Sequence, residues 1–121
     1  MIKYDIKSRN LNDSLVFYRA LFNKMPDLLS LDYLRFNTDQ FQLEITEGIS
    51  NTNQTLLMEI NDGNDLKAIH NRMSRFLSKE RLKEDCEVIQ EAIGLIDPDG
   101  NHWRVGDPNT EVQFEKCYVT H

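Results

Sequence analysis

The stretch that decides the fold is GLIDPDGNHWRV, residues 94–105. A short apolar run stops at Asp97-Pro98-Asp99-Gly100, and a second run follows it directly. Pro98 presets φ for the second position of a type I turn, while Asp97 suits the first position and Gly100 the last. The pattern therefore predicts a tight turn that leads into a final strand. In that strand the alternation predicts that Trp103 packs into the core.

Composition sets limits on the class of protein. The chain has 121 residues and a formal net charge of −6, without a dense run of Lys or Arg. Its length predicts one domain, and its acidic balance argues against nucleic acid and anionic membrane as partners. No apolar run is long enough to cross a bilayer, and the first ten residues lack a secretory signal, so we expect a cytoplasmic protein. Cys86 and Cys117 form no CxxC, which favours two free thiols.

The first half of the chain predicts a strand, a helix and three short strands. Residues 2–8 alternate strictly: Lys3 and Asp5 share one face, and apolar side chains occupy the other. Asn10 is a good helix N-cap, residues 11–22 carry an apolar stripe at helical spacing, and Asn23 can end the helix in the left-handed conformation. Short extended segments follow at residues 27–31, 33–37 and 41–46.

The second half repeats this order. Residues 48–54 have the composition of a linker, residues 55–60 suit a strand, and Leu66, Ile69, Met73 and Phe76 form a helical stripe. Residues 88–96 and the run after the turn predict two more strands, and residues 112–114 a possible extra one. We predict an α+β single domain over residues 1–121. It consists of two paired βαβββ units, 1–47 and 55–106, joined by the linker 48–54 and followed by a tail, 107–121.

Three segments resemble the vicinal oxygen chelate superfamily, which includes glyoxalase I, bleomycin- and fosfomycin-resistance proteins and extradiol dioxygenases. They are LVFYRALF (15–22) followed by Pro26, EINDGNDLKAIHNRM (59–73) and DPDGNHW (97–103). The resemblance implies that the two units form a curved, cup-shaped mixed sheet with the helices outside. The run of residues 20–36 and that of 86–97 are similar to the cadmium-induced and arsenic–carbon lyase branch. The adjacent cysteines of those lyases are absent, because Asp85 stands beside Cys86.

The resemblance also implies where a metal would bind in related proteins. Those ligand positions fall on Lys3, Thr55 and Arg104, with a fourth, glyoxalase-type position on Glu44. Lys and Arg are cationic and offer no lone pair to a divalent ion, whereas such ions need several neutral or anionic donors. We therefore expect no metal and no other cofactor.

The same positions define a candidate ligand-binding site made of Lys3, Asp5, Glu44, Thr55, Glu59, His102 and Arg104. Two interpretations stay open. In one, the acidic side chains neutralise Lys3 and Arg104 in a structural salt-bridge cluster. In the other, the two cations bind a carboxylate or phosphate in an open cup.

Three functions are consistent with the sequence. The first is a metal-free protein that binds or sequesters a small molecule in the cup or in a dimer groove. The second is a glyoxalase- or dioxygenase-type lyase or isomerase with Glu44 as base, and Lys3 or Arg104 stabilising an oxyanion. The third is a structural or regulatory partner with a filled cup. We expect a homodimer, since pairing removes open sheet edges. The sequence does not identify the ligand.

Overall fold

The computed structural model describes residues 2–49, 52–76 and 92–109. The first unit consists of β1 (Ile2–Ser8), α1 (Leu11–Phe22), β2 (Leu28–Leu29), β3 (Tyr33–Asn37) and β4 (Phe41–Glu47). The second consists of β5 (Thr55–Glu59), α2 (Gly63–Phe76), β6 (Ala92–Ile96) and β7 (His102–Gly106). Residues 88–91, the possible strand at 112–114 and both cysteines lie outside the described residues. Neither described helix is long and apolar enough to span a membrane.

The two units build two mixed sheets of the same plan. The first sheet has the strand order β1-β4-β3-β2, with β1 parallel to β4 and the other pairs antiparallel. The second has the order β5-β7-β6, with β5 parallel to β7 and β6 antiparallel to it. In each unit the helix connects the first strand to the strands that return beside it. The α+β class predicted from the sequence is confirmed.

Local signals account for both ends of α1. The Asn10 side chain accepts hydrogen bonds from the backbone N–H groups of Asn12 and Asp13, and Asn23 ends the helix at φ 55° and ψ 43°. Both predicted caps are confirmed. At the same end, the Arg72 guanidinium of α2 donates to the carbonyl oxygens of Ala20 and Leu21. The second unit thus satisfies carbonyl groups that the first helix leaves open.

One core lies between the helices and the two sheets. Alternate strand residues point into it: Leu43 and Ile45 of β4 are fully buried, as are Leu56 of β5 and Trp103 of β7. The buried stripes of α1 and α2 belong to the same cluster; they are Phe17, Tyr18, Leu21, Leu66, Ile69 and Met73. Both helices therefore pack on one core, and neither α1 nor α2 covers the other side of the strands.

The turn at residues 97–101 is the predicted one, and it is also a buried polar junction. The Gly100 N–H donates to the Asp97 carbonyl at 3.1 Å, which closes the turn. The fully buried Asp97 carboxylate accepts from the Tyr18 hydroxyl at 2.6 Å and from the Asn101 amide at 2.9 Å. Trp103 Nε1 donates to the Tyr18 hydroxyl oxygen at 2.9 Å. Burial, followed by the Asp97 charge, raises the pKa of Tyr18 well above its usual 10.0.

Side chains rather than a strand ladder join the two sheets at their neighbouring edges, β1 and β5. Gln54 Nε2 donates to the Asp5 carbonyl at 2.7 Å, and the Tyr4 hydroxyl to the Leu57 carbonyl at 3.4 Å. The Gln40 amide binds the backbone of Glu59 twice, as acceptor at 2.8 Å and as donor at 2.6 Å. The helix-free sides of the two sheets are thereby adjacent.

Candidate functional site

The helix-free side of the sheets, here called the polar face, carries the strand residues that alternate with the buried core. It is present on both sheets, which are linked near β1 and β5 by the hydrogen bonds of Gln54 and Tyr4. Its side chains are exposed or partly buried. They are Lys3, Asp5, Lys7, Tyr33, Arg35, Asn37, Gln42, Glu44, Thr46, Thr55, Leu57, Glu59, His102 and Arg104.

Strand register places three charged side chains side by side across the first sheet: Asp5, Glu44 and Arg35, here called the charged row. Glu44 lies directly opposite Asp5 on one side and directly opposite Arg35 on the other. Side chains in such pairs are close enough to interact, and the two facing carboxylates are unfavourable for each other. The row therefore has one carboxylate more than it has cations.

Arg35 has an open hydrogen-bonding group. Its Nε is buried but has no hydrogen-bond partner among residues 2–49, 52–76 and 92–109. Tyr33 lies two residues away on the same face. Burial, and then interaction with the Glu44 carboxylate, raise the pKa of its hydroxyl. A buried donor without an acceptor costs free energy, so such a group in a native fold calls for an explanation.

The second sheet contributes a different environment to the polar face. Arg104 lies between Leu57 and Gly94 in register, and its Nη2 donates to the Pro108 carbonyl at 3.1 Å. His102 is partly buried and pairs with Thr55. Glu59 is exposed at the end of β5, where its backbone is bound by Gln40.

All seven residues of the predicted site lie on the polar face, but in separate groups. Asp5 and Glu44 are direct neighbours, Lys3 is opposite Gln42, and Thr55 is opposite His102. Glu44 and Arg104 lie on different sheets, Glu44 on β4 of the first and Arg104 on β7 of the second. The cation directly opposite Glu44 is Arg35, which the sequence analysis missed. The alternation of Leu34 and Phe36 with polar residues was the signal that could have found it.

The donor set of this face does not fit a divalent metal. Among the described residues, no group of three or more His, Cys, Asp and Glu side chains is arranged to hold an ion. The two facing carboxylates, Asp5 and Glu44, have Arg35 beside them, and the remaining ligand positions of the resemblance carry Lys3, Thr55 and Arg104. We derive no metal-dependent step, and the expectation of a metal-free protein stays a prediction.

No family model matches the sequence, and no curated protein matches it. Solved structures do match. A fosfomycin resistance protein from Listeria monocytogenes has a TM-score of 0.68 at 17% identity over 96% of each chain. A lactoylglutathione lyase from Agrobacterium tumefaciens has a TM-score of 0.65 at 13% identity, and the match covers 89% of this chain and 92% of that one. A bleomycin-binding protein complexed with bleomycin has a TM-score of 0.63 at 13% identity, and the match covers 90% of this chain and 98% of that one.

This chain has the glyoxalase/bleomycin resistance fold. The fold predicted from the sequence is therefore confirmed. At these identities the similarity describes the fold, and fold alone does not assign an activity. The narrower resemblance to the cadmium-induced and arsenic–carbon lyase proteins stays a prediction.

Proposed function

We propose that the protein binds a small polar molecule on its polar face, without a metal. The observation that carries this proposal is the buried, unpartnered Nε of Arg35 beside Glu44 and Tyr33. Convergent polar groups with an altered pKa and an open donor are typical of small-molecule sites. The similar fold of the bleomycin-binding protein supports a binding role, because that protein is complexed with a small molecule.

The charged row also indicates which kind of molecule fits. The Arg35 side chain is only partly buried, and a guanidinium binds carboxylates and phosphates particularly well. The facing carboxylates of Asp5 and Glu44 are relieved by a donor placed between them. A ligand that carries an anionic group next to an ammonium or hydroxyl group satisfies both requirements.

A thermal-shift screen of zwitterionic and anionic metabolites tests the proposal. A ligand at a hundred times its Kd stabilises the native state by about 2.7 kcal/mol, which is readily measured. Arg35→Gln should abolish the shift produced by each hit. The matched control is Arg75→Gln, which removes an exposed arginine from α2. Hits that stabilise Arg35→Gln as strongly as the unchanged protein would contradict this site.

A second candidate function is a lyase or isomerase with Glu44 as base. Its support is that Glu44 is partly buried on the polar face and interacts with the Tyr33 hydroxyl, a possible proton donor. Glu44→Gln separates the two functions. A binding protein keeps its affinity for the anionic group in this variant, whereas an enzyme binds its substrate but loses turnover.

A further inference from the structure

A cavity of about 500 Å³ lies beside the two helices, and its lining includes none of the three residues of the charged row, Asp5, Arg35 and Glu44. Its walls are the end of α1, the turn between β3 and β4, the end of β5 and the first half of α2. The volume is within the range of small-molecule sites. Its floor is apolar and includes Leu21, Met58 and Ile69, and the ring of Phe22 forms part of the wall.

The cations around this cavity are already engaged by the protein. Lys24 Nζ binds the Asp27 carboxylate and the Asn37 carbonyl, both at 2.8 Å. The Arg72 guanidinium donates to the last carbonyls of α1, the negative end of that helix. An anion in the cavity would have to compete with these internal partners.

Two carboxylates at the cavity are not engaged in this way. Asp39 lies in the turn between β3 and β4, and Asp65 in the first turn of α2. Both are exposed, and neither has a hydrogen bond or ion pair within the described ranges. Among the described residues, the charged groups of the rim that lack an internal partner are therefore these two carboxylates, and they stand above an apolar floor.

We propose that this cavity, here called the helix-side groove, binds small organic cations with an apolar body. The body covers Leu21, Met58 and Ile69, and the positive group lies near Asp39 and Asp65. The net charge of −6 favours the approach of a cation. This site is independent of the one proposed on the polar face.

The probe is 1-adamantylamine, with adamantan-1-ol as a neutral compound of the same shape. Each is titrated into the isotope-labelled full chain, and amide shifts are followed by NMR. We expect both to perturb residues of the helix-side groove, such as Asn23 and Ala68. The amine should bind about tenfold more tightly, since an exposed carboxylate contributes a factor of about three and two are present.

Four variants locate the interaction. Asp39→Asn and Asp65→Asn should each weaken amine binding about threefold and leave the alcohol unchanged. Asp13→Asn is the matched control: like Asp65, it lies in the first turn of its helix, but it lines neither described cavity. Ala68→Trp fills the groove from the exposed side of α2 and should abolish binding of both compounds.

Several results would overturn the proposal. Equal affinity for amine and alcohol would show that the carboxylates do not recognise charge. Shifts confined to the polar face around Arg35 would place the compounds in the other site, as would full binding by Ala68→Trp. Absence of binding by both compounds at millimolar concentration would remove the site altogether. None of these results affects the Arg35→Gln test.

Discussion

Tyr18→Phe removes one oxygen atom and should be among the more costly conservative changes in this chain. The Tyr18 hydroxyl donates to the Asp97 carboxylate at 2.6 Å and accepts from Trp103 Nε1 at 2.9 Å. All three residues are fully buried. The substitution takes a donor from a buried carboxylate and leaves a buried indole N–H without an acceptor.

The size of the effect follows from these two losses. A hydrogen bond to a charged group is worth about 1.5–3 kcal/mol, and a buried unsatisfied donor costs about 1–3 kcal/mol. Asn101 keeps one contact with Asp97 Oδ2, which limits the first loss. We expect the free energy of unfolding to fall by about 3 kcal/mol. For a chain of this length that is a decrease in Tm of roughly 10 °C.

The matched control is Tyr4→Phe, the same chemical change at a partly buried tyrosine. Its hydroxyl makes one long contact, 3.4 Å to the Leu57 carbonyl, so the expected cost is below about 1 kcal/mol. Urea unfolding followed by Trp103 fluorescence measures both variants, because this is the single tryptophan of the chain. Equal costs for the two variants, at equal m-values, would refute the reasoning.

The raised pKa of Tyr18 also predicts that the stability of the fold depends on alkaline pH. The folded state keeps the Tyr18 phenol protonated well above 10.0, while the unfolded chain releases that proton near its usual pKa. Above that pH the unfolded state binds fewer protons than the folded state, so stability falls as pH rises. Tyr18→Phe removes this contribution and should flatten the decline above pH 10.

Three further predictions concern other parts of the molecule. Arg72→Gln should lower stability by about 1–2 kcal/mol relative to Arg75→Gln, because it exposes the final carbonyls of α1; equal urea midpoints would contradict this. Elemental analysis of untagged protein should find far less than one divalent metal per chain, and a stoichiometric metal would disprove that expectation. Light scattering should find a homodimer, since β2 is an edge strand among the described residues and Leu29 and Leu31 beside it are 59% and 98% exposed; a monomer at micromolar concentration would refute it.

The sequence predicts what is decided within a few residues. Asn10 and Asn23 were assigned as helix caps because capping depends on neighbouring backbone groups. The turn after Ile96 was assigned because Pro98 and Gly100 restrict the backbone there. Strand faces follow from alternation in the same way, as for Lys3 and Asp5 on one face of β1 and Trp103 in the core.

Contacts between distant residues could not be predicted in this way. Asp97 reads as a turn residue, but its burial depends on Tyr18, which is 79 residues away. Arg72 reads as a helix-surface cation, but its partners are carbonyls of α1 more than 50 residues away. Arg35 was missed because its place opposite Glu44 depends on the register between β3 and β4. Only the folded backbone fixes that register.

The distinction between structural and functional polar groups in this fold rests on whether the protein itself satisfies them. Gln40, Gln54 and Arg72 lie where the two units meet, and each binds backbone groups of the opposite unit. Replacing any of them should change stability. Arg35 Nε has no such partner among the described residues, although burial makes one necessary. Because the other buried side-chain polar groups in the described ranges have partners, Arg35 is the residue of this face at which a functional role should be tested first.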